Sequence, residues 1–211
     1  MEFRSAFFLI ISLFIAWLSM RCASLWIDRC YAHNPDILSY PDNILRRSRF
    51  RLPALTISFG LCIFSCQRLA SVTEAASLLL PAFFLLLVTC TDFEQYVIFD
   101  RMLLPFAILS LPFLLSEPAA ILPHIEAALI GGLVFLLLTV LLRGAIGGGD
   151  IKLIAVLGLW LSQEQLLQTV MAGFILGGIA AFLLMITKQK GRHDFFAYGP
   201  YFALSALYLL F

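Results

Sequence analysis

Charge is what this chain has least of. Only 13% of its 211 residues are Asp, Glu, Lys or Arg, against about 25% in a soluble globular domain, while 62% are apolar. With a mean hydropathy of +0.97, that excludes an ordinary water-soluble domain. An all-α, polytopic membrane protein is expected, built as one membrane domain over residues 1–211. Paired cysteines are missing too. Of five cysteines, Cys62, Cys66 and Cys90 lie in apolar runs, where Cys behaves as a small hydrophobe. Cys22 and Cys30 only flank a polar stretch and form no CxxC pair, so no four-ligand zinc site is expected. No small-residue cleavage site follows the first apolar stretch, residues 7–20, which reads as a retained helix and not as a removed signal. The three histidines show no partner pattern and no nucleophile motif accompanies them, which argues against a Ser-His-Asp arrangement.

Long apolar runs are what the chain has instead. A spanning helix needs about 20 mainly apolar residues. Eight segments qualify as candidates: 5–22, 52–70, 73–91, 102–117, 123–142, 150–163, 165–187 and 195–211. The fourth and sixth are short. The longest polar segment, residues 21–51, holds the turn formers Asn34-Pro35-Asp36 and Tyr40-Pro41-Asp42-Asn43. It reads as a loop with at most one short surface helix.

The cations set the orientation. Alternate loops carry Arg21, Arg29, Arg46, Arg47, Arg49 and Arg51, then Arg101, then Arg143 and Lys152, then Lys188, Lys190 and Arg192; the other side carries only Arg4 and Arg68. Twelve against two makes the basic side cytoplasmic and leaves both termini outside. Asp92 and Asp150 then fall at cytoplasmic ends of helices. The acids played no part in assigning the sides, so their agreement is independent support for a shared site.

A carboxylate near hydrocarbon costs roughly 2.5–3.5 kcal/mol on insertion scales, so its default reading is functional. Asp150 closes the turn Gly147-Gly148-Gly149-Asp150 and opens the apolar run Ile151-Lys152-Leu153. Glycines there let the backbone turn sharply, and a glycine turn before a helix offers N–H groups to a substrate carbonyl. A small-residue helix contact is the bland alternative. Asp92 sits in Thr89-Cys90-Thr91-Asp92-Phe93-Glu94, where it marks the membrane boundary, caps a helix, or joins Asp150 as a catalytic pair. Glu94 reads as a solvated loop residue. Asp100 suits a helix N-cap and the positive end of the helix dipole. Lys152 has three open roles: steadying an anionic dyad, binding substrate backbone, or snorkelling to the interface. Two carboxylates at hydrogen-bond distance share a proton, and such a pair activates water and protonates a leaving group. No metal and no cofactor is required.

These residues resemble a known family. Gly147-Gly148-Gly149-Asp150 is similar to the Gly-x-Gly-Asp motif of intramembrane aspartic proteases. Its continuation, Ile151-Lys152-Leu153-Ile154-Ala155 through Gly158 and Trp160, resembles the prepilin peptidases, also called type IV leader peptidases. Asp92 with Ile98 and Asp100 resembles their first motif, with Phe99 in place of the usual Pro. Tyr198-Gly199-Pro200-Tyr201 resembles their C-terminal Phe-Gly-Pro segment. The resemblance covers about residues 75–211. It implies Asp92 and Asp150 as the catalytic pair, with Gly147, Gly148, Gly149, Lys152 and Asp100 in substrate-binding or supporting roles. It also implies a prepilin or pseudopilin substrate of the type IV pilus or type II secretion kind, with a basic leader, cleaved at the cytoplasmic face of a bacterial inner membrane. Membrane lipid is the other expected partner, and nucleic acid is not one; no oligomeric state is assigned. Many bacterial members carry a cytoplasmic loop with two zinc-binding CxxC pairs, associated with methylating the new N-terminus. Here that loop is shortened to residues 21–51 without them, so methyltransferase activity is not expected. Competing readings are a proton-coupled transporter using paired acids, which calls for mid-membrane acids and an inverted repeat, and an inactive secretion-system assembly protein.

Overall fold

Helix α1, Glu2–His33, runs well past the first candidate span. Ala16, Met20, Ala23, Ile27, Cys30 and Tyr31 are all buried, and a spacing of three or four puts them on one helical face. Arg21, Asp28 and Arg29 lie off that stripe and are exposed, so charge does not end the helix. Asn34-Pro35 does, because Pro disfavours the helical region for the residue before it. The expected loop of residues 21–51 is therefore helical as far as His33. Beyond it come short 3-10 turns at Pro35–Ile37 and Pro41–Asn43, the four-residue helix α2, Ile44–Arg47, and a turn at Ser48–Phe50. This computed structural model describes residues 2–69, 71–143, 146–188 and 196–211. Lys190 and Arg192 of the expected basic loop, and the first residue of the expected last span, lie outside the described residues.

Helix α3, Arg51–Ser65, packs along α1. A Cβ at Gly60 would come within 3.4 Å of Leu13 Cα, so the small residue permits close approach. Helix α4, Val72–Gln95, starts at Ser71, whose Oγ accepts the Glu74 N–H at 3.1 Å. It stops at Tyr96, which is left-handed with φ 55°. These elements form one compact unit, residues 1–97 with Phe211.

Residues 98–210 form the second unit: α5, Asp100–Ile108; α6, Leu111–Ser116; α7, Pro118–Leu141; α8, Gly148–Gly158; α9, Gln163–Ile186; and α10, Gly199–Leu210. The expected span 102–117 is broken between α5 and α6. Pro112 has no N–H for the Ile108 carbonyl and its ring would clash there. Ser162 opens α9 with a capping box shared with Gln165. Helix α8 is short but central to this unit. Leu153, Ile154 and Leu157 are fully buried, and a side chain at Gly158 would overlap the backbone of Ala127 and Ala128 on α7.

All regular elements among the described residues are helical. Among the described residues, four stretches are long and apolar enough to cross a membrane: Ala6–His33, Val72–Gln95, Pro118–Leu141 and Gln163–Ile186. The other expected spans correspond to shorter helices; the 15 residues of α3 reach only about 22 Å at 1.5 Å per residue, short of a hydrocarbon core of about 30 Å. Leu129, Leu133, Leu137 and Val140 on α7 are 53–70% exposed. In water each would forgo roughly 1.5–3 kcal/mol of burial, so this surface is stable against hydrocarbon and not against solvent.

Candidate active site

Asp150 sits in the first turn of α8. Gly147 is the N-cap, extended at φ −66° and ψ 142°, and its carbonyl accepts the Asp150 N–H at 3.0 Å and the Ile151 N–H at 3.4 Å. The early N–H groups of a helix lack intrahelical partners and favour a carboxylate. The three glycines are not equivalent. A Cβ at Gly149 would lie 2.9 Å from Ile98 Cβ, one at Gly147 would lie 3.2 Å from Asp150 Oδ2, and one at Gly148 would meet nothing within 4 Å. Close backbone approach is therefore needed at 149, and room for the carboxylate at 147.

Asp150 Oδ1 is buried with no hydrogen-bond partner among the described residues. Buried polar atoms are nearly always satisfied, so the partner of this oxygen must come from outside the described side chains. It borders a cavity of about 360 Å³ whose other walls are aliphatic or aromatic, among them Phe135, Phe174, Tyr198 and Phe202. The rings pack on one another, with Phe135–Phe174 centroids 5.7 Å apart and Phe174–Phe202 5.3 Å apart. Gly173 and Gly177 on α9 make the space. A Cβ at Gly177 would fall 2.8 Å from the Tyr198 ring, and one at Gly173 would strike Phe202. So Tyr198, singled out in the sequence within Tyr198-Gly199-Pro200-Tyr201, lines the same cavity as Asp150. Nothing in the sequence pattern marked Gly177 as the seat of Tyr198 or Gly173 as that of Phe202.

Asp92 lies in the last turn of α4 and is only 6% exposed. Its carbonyl accepts the Tyr96 N–H at 2.9 Å. Asp92 belongs to the first unit and Asp150 to the second. Glu94 is not solvated: it is 5% exposed and bound by Arg51 Nε at 2.8 Å. Asp100 is the first residue of α5, not its N-cap; that place falls to Phe99, extended and buried, with no side-chain capping bond. Asp100 instead takes Lys152, whose Nζ donates to both carboxylate oxygens. Pairing with Asp100 was not among the three roles the sequence left open for Lys152.

Residues 79–182 match the type IV leader peptidase family. That range holds Asp92, Asp100, the three glycines, Asp150 and Lys152, and stops short of Tyr198. A prepilin leader peptidase/N-methyltransferase of Neisseria gonorrhoeae is 35% identical over 131 residues, which is 58% of this chain and 43% of that protein. The match thus spans less than half of that relative's length. No solved structure gives a significant match.

Proposed function

We propose that this chain, whose residues 79–182 belong to the type IV leader peptidase family, is a membrane aspartic endopeptidase. It removes the basic leader from prepilin or pseudopilin precursors. Asp150 carries the reading. It is an acid in the first turn of a helix, behind three glycines, with one buried oxygen left unpartnered beside an apolar cavity. That combination supplies a polar centre for a peptide bond and an apolar lining for the residues that flank it.

Asp92 is the proposed partner. With one proton shared by the pair, the ionised carboxylate takes a proton from water as the water oxygen attacks the scissile carbonyl carbon. The protonated carboxyl donates to the carbonyl oxygen. Collapse of the tetrahedral adduct breaks the C–N bond: the carboxyl that took water's proton passes it to the departing nitrogen, which leaves as an amine, and a hydroxyl proton of the adduct returns to the other carboxylate, restoring the singly protonated pair. The pair titrates as a unit, so acid and base are not assigned singly.

The further reading is eight membrane segments, the four long helices α1, α4, α7 and α9 and the shorter α3, α5 with α6, α8 and α10, which would complete their crossings through adjoining residues, with both termini outside and both aspartates at the cytoplasmic face of a bacterial inner membrane. The basic leader of the substrate would stay on that side while its apolar helix lies in the bilayer. Peptidase activity alone is proposed; the methyltransferase half of the relative's name is not carried over.

Purified full-length chain in lipid, incubated with a prepilin bearing a basic leader, tests the reading. Asp92→Asn and Asp150→Asn should each abolish cleavage while the protein stays inserted and folded. Cleavage that survives in Asp150→Asn sinks the proposal.

A further inference from the structure

Four consecutive residues follow Asp92 in the first unit, and each is held by α1 or by residues 34–51. The Phe93 carbonyl accepts Arg47 Nη2 at 3.0 Å. Glu94 is gripped by Arg51 through Nε at 2.8 Å and through Nη2, and it accepts Tyr31 Oη at 3.0 Å and Cys90 Sγ at 3.3 Å. Arg51 is itself buried, and its Nη1 reaches Asp28 at 2.6 Å and Ser24 Oγ at 3.3 Å on α1. The Gln95 side chain accepts the Tyr40 N–H at 2.8 Å and donates to the Tyr40 carbonyl at 3.2 Å. Tyr96 stacks edge-on against Tyr40 at 5.6 Å, with the Arg47 guanidinium over both rings.

Net stability is a weak reason for this arrangement. A buried ion pair recovers little beyond its desolvation cost, and well-packed apolar residues often do as well. A bulky residue with φ near 55° is disfavoured and persists only where its surroundings over-determine it. Helix α4 would also end adequately in a solvated turn. What the network does impose is one rotation and one register on the last turn of α4, and Asp92 is in that turn.

We propose that Glu94 and Arg51, with Tyr31, Gln95, Tyr40 and Arg47 around them, are positioning residues for Asp92. The segment 34–51 is thereby a strap that aims one carboxylate of the proposed pair. The inference rests on the peptidase reading for its catalytic consequence and on the first unit alone for its structural one. Misplacing a reacting group by about 1 Å costs on the order of a hundredfold in rate.

The test uses the full chain in lipid with Arg51→Met and Glu94→Met combined, which removes both charges and leaves no buried ion unpaired. A milder variant, Tyr31→Phe, removes one hydrogen bond from Glu94. The double variant should keep its thermal midpoint and its KM for a prepilin, while kcat falls by about ten- to a hundredfold; Tyr31→Phe should move kcat in the same direction by less. Amide exchange over residues 92–96 should quicken at least about tenfold while the rest of α4 is unchanged. Wild-type kcat in the double variant, or unchanged exchange at residues 92–96, overturns the proposal. If the wild-type chain cleaves nothing, the peptidase reading fails on its own, and exchange still decides whether the strap holds the Asp92 turn.

Discussion

Lys152 Nζ donates to both carboxylate oxygens of Asp100, at 2.7 and 2.8 Å, and the two side chains remain 56% and 70% exposed. The pair links the start of α5 to α8 one turn or less from Asp150. Exposed pairs of this kind contribute only about 0–1 kcal/mol. Asp100→Asn should therefore retain substantial cleavage, and Lys152→Met should cost no more than about 1 kcal/mol of stability. Both are read from thermal unfolding and cleavage rates in one preparation. An inactive Asp100→Asn alongside an active Asp92→Asn would make Asp100 the first acid of the pair.

The glycine turn gives a sharper contrast. Gly149 is pressed against Ile98, while the Cβ position of Gly148 is open. Gly148→Ala should be tolerated with activity near wild type. Gly149→Ala should destabilise by about 1–3 kcal/mol through overpacking and slow cleavage, because the turn that carries Asp150 must move. Adding Ile98→Ala should recover part of both losses. Equal effects at 148 and 149 would mean that backbone flexibility, not close approach, is what the turn needs.

Much of this was legible in the chain because its causes are local. Asn34-Pro35-Asp36 reads as a turn, and Gly147-Gly148-Gly149-Asp150 as a turn into a helix. The missed features have distant causes. Glu94 reads as a loop residue because its partner, Arg51, is 43 positions away. The charges at Arg21, Asp28 and Arg29 look like the end of a membrane helix, yet a stripe of buried residues from Ala16 to Tyr31 carries α1 on to His33. The Tyr198 seat on Gly177 is likewise a contact between separate helices, and no periodicity announces it. The α5–α6 break was available in Pro112 and was masked by the apolar run around it.

Metal dependence follows from the donor set. No group of three or more His, Cys, Asp or Glu side chains suited to a metal occurs among the described residues, and a structural zinc needs about four ligands. Cleavage should persist after dialysis against a strong chelator. Elemental analysis of protein freed of purification metal should show no stoichiometric zinc. A labelled methyl group from S-adenosylmethionine should not pass to the cleaved substrate. Zinc at one per chain would contradict the first expectation, and methyl transfer would place a second activity among the membrane helices.

Topology can be read from one residue. Leu45 lies in the strap on the short helix α2 and is 89% exposed, so a cysteine there is open to reagents without disturbing the core. Cys22 is the one exposed cysteine among the five, and Cys22→Ser removes the competing thiol. In intact bacterial cells carrying Leu45→Cys with Cys22→Ser, a membrane-impermeant maleimide should leave residue 45 unlabelled. In inverted inner-membrane vesicles the same reagent should label it fully. That pattern is what the proposed eight-segment topology requires, with twelve cations on one side and two on the other, and it would put the strap on the side proposed for the basic leader. Labelling in intact cells would reverse the orientation. It would move Asp92 and Asp150 to the outer face with it, and a peptidase acting on cytoplasmic leaders would no longer be tenable.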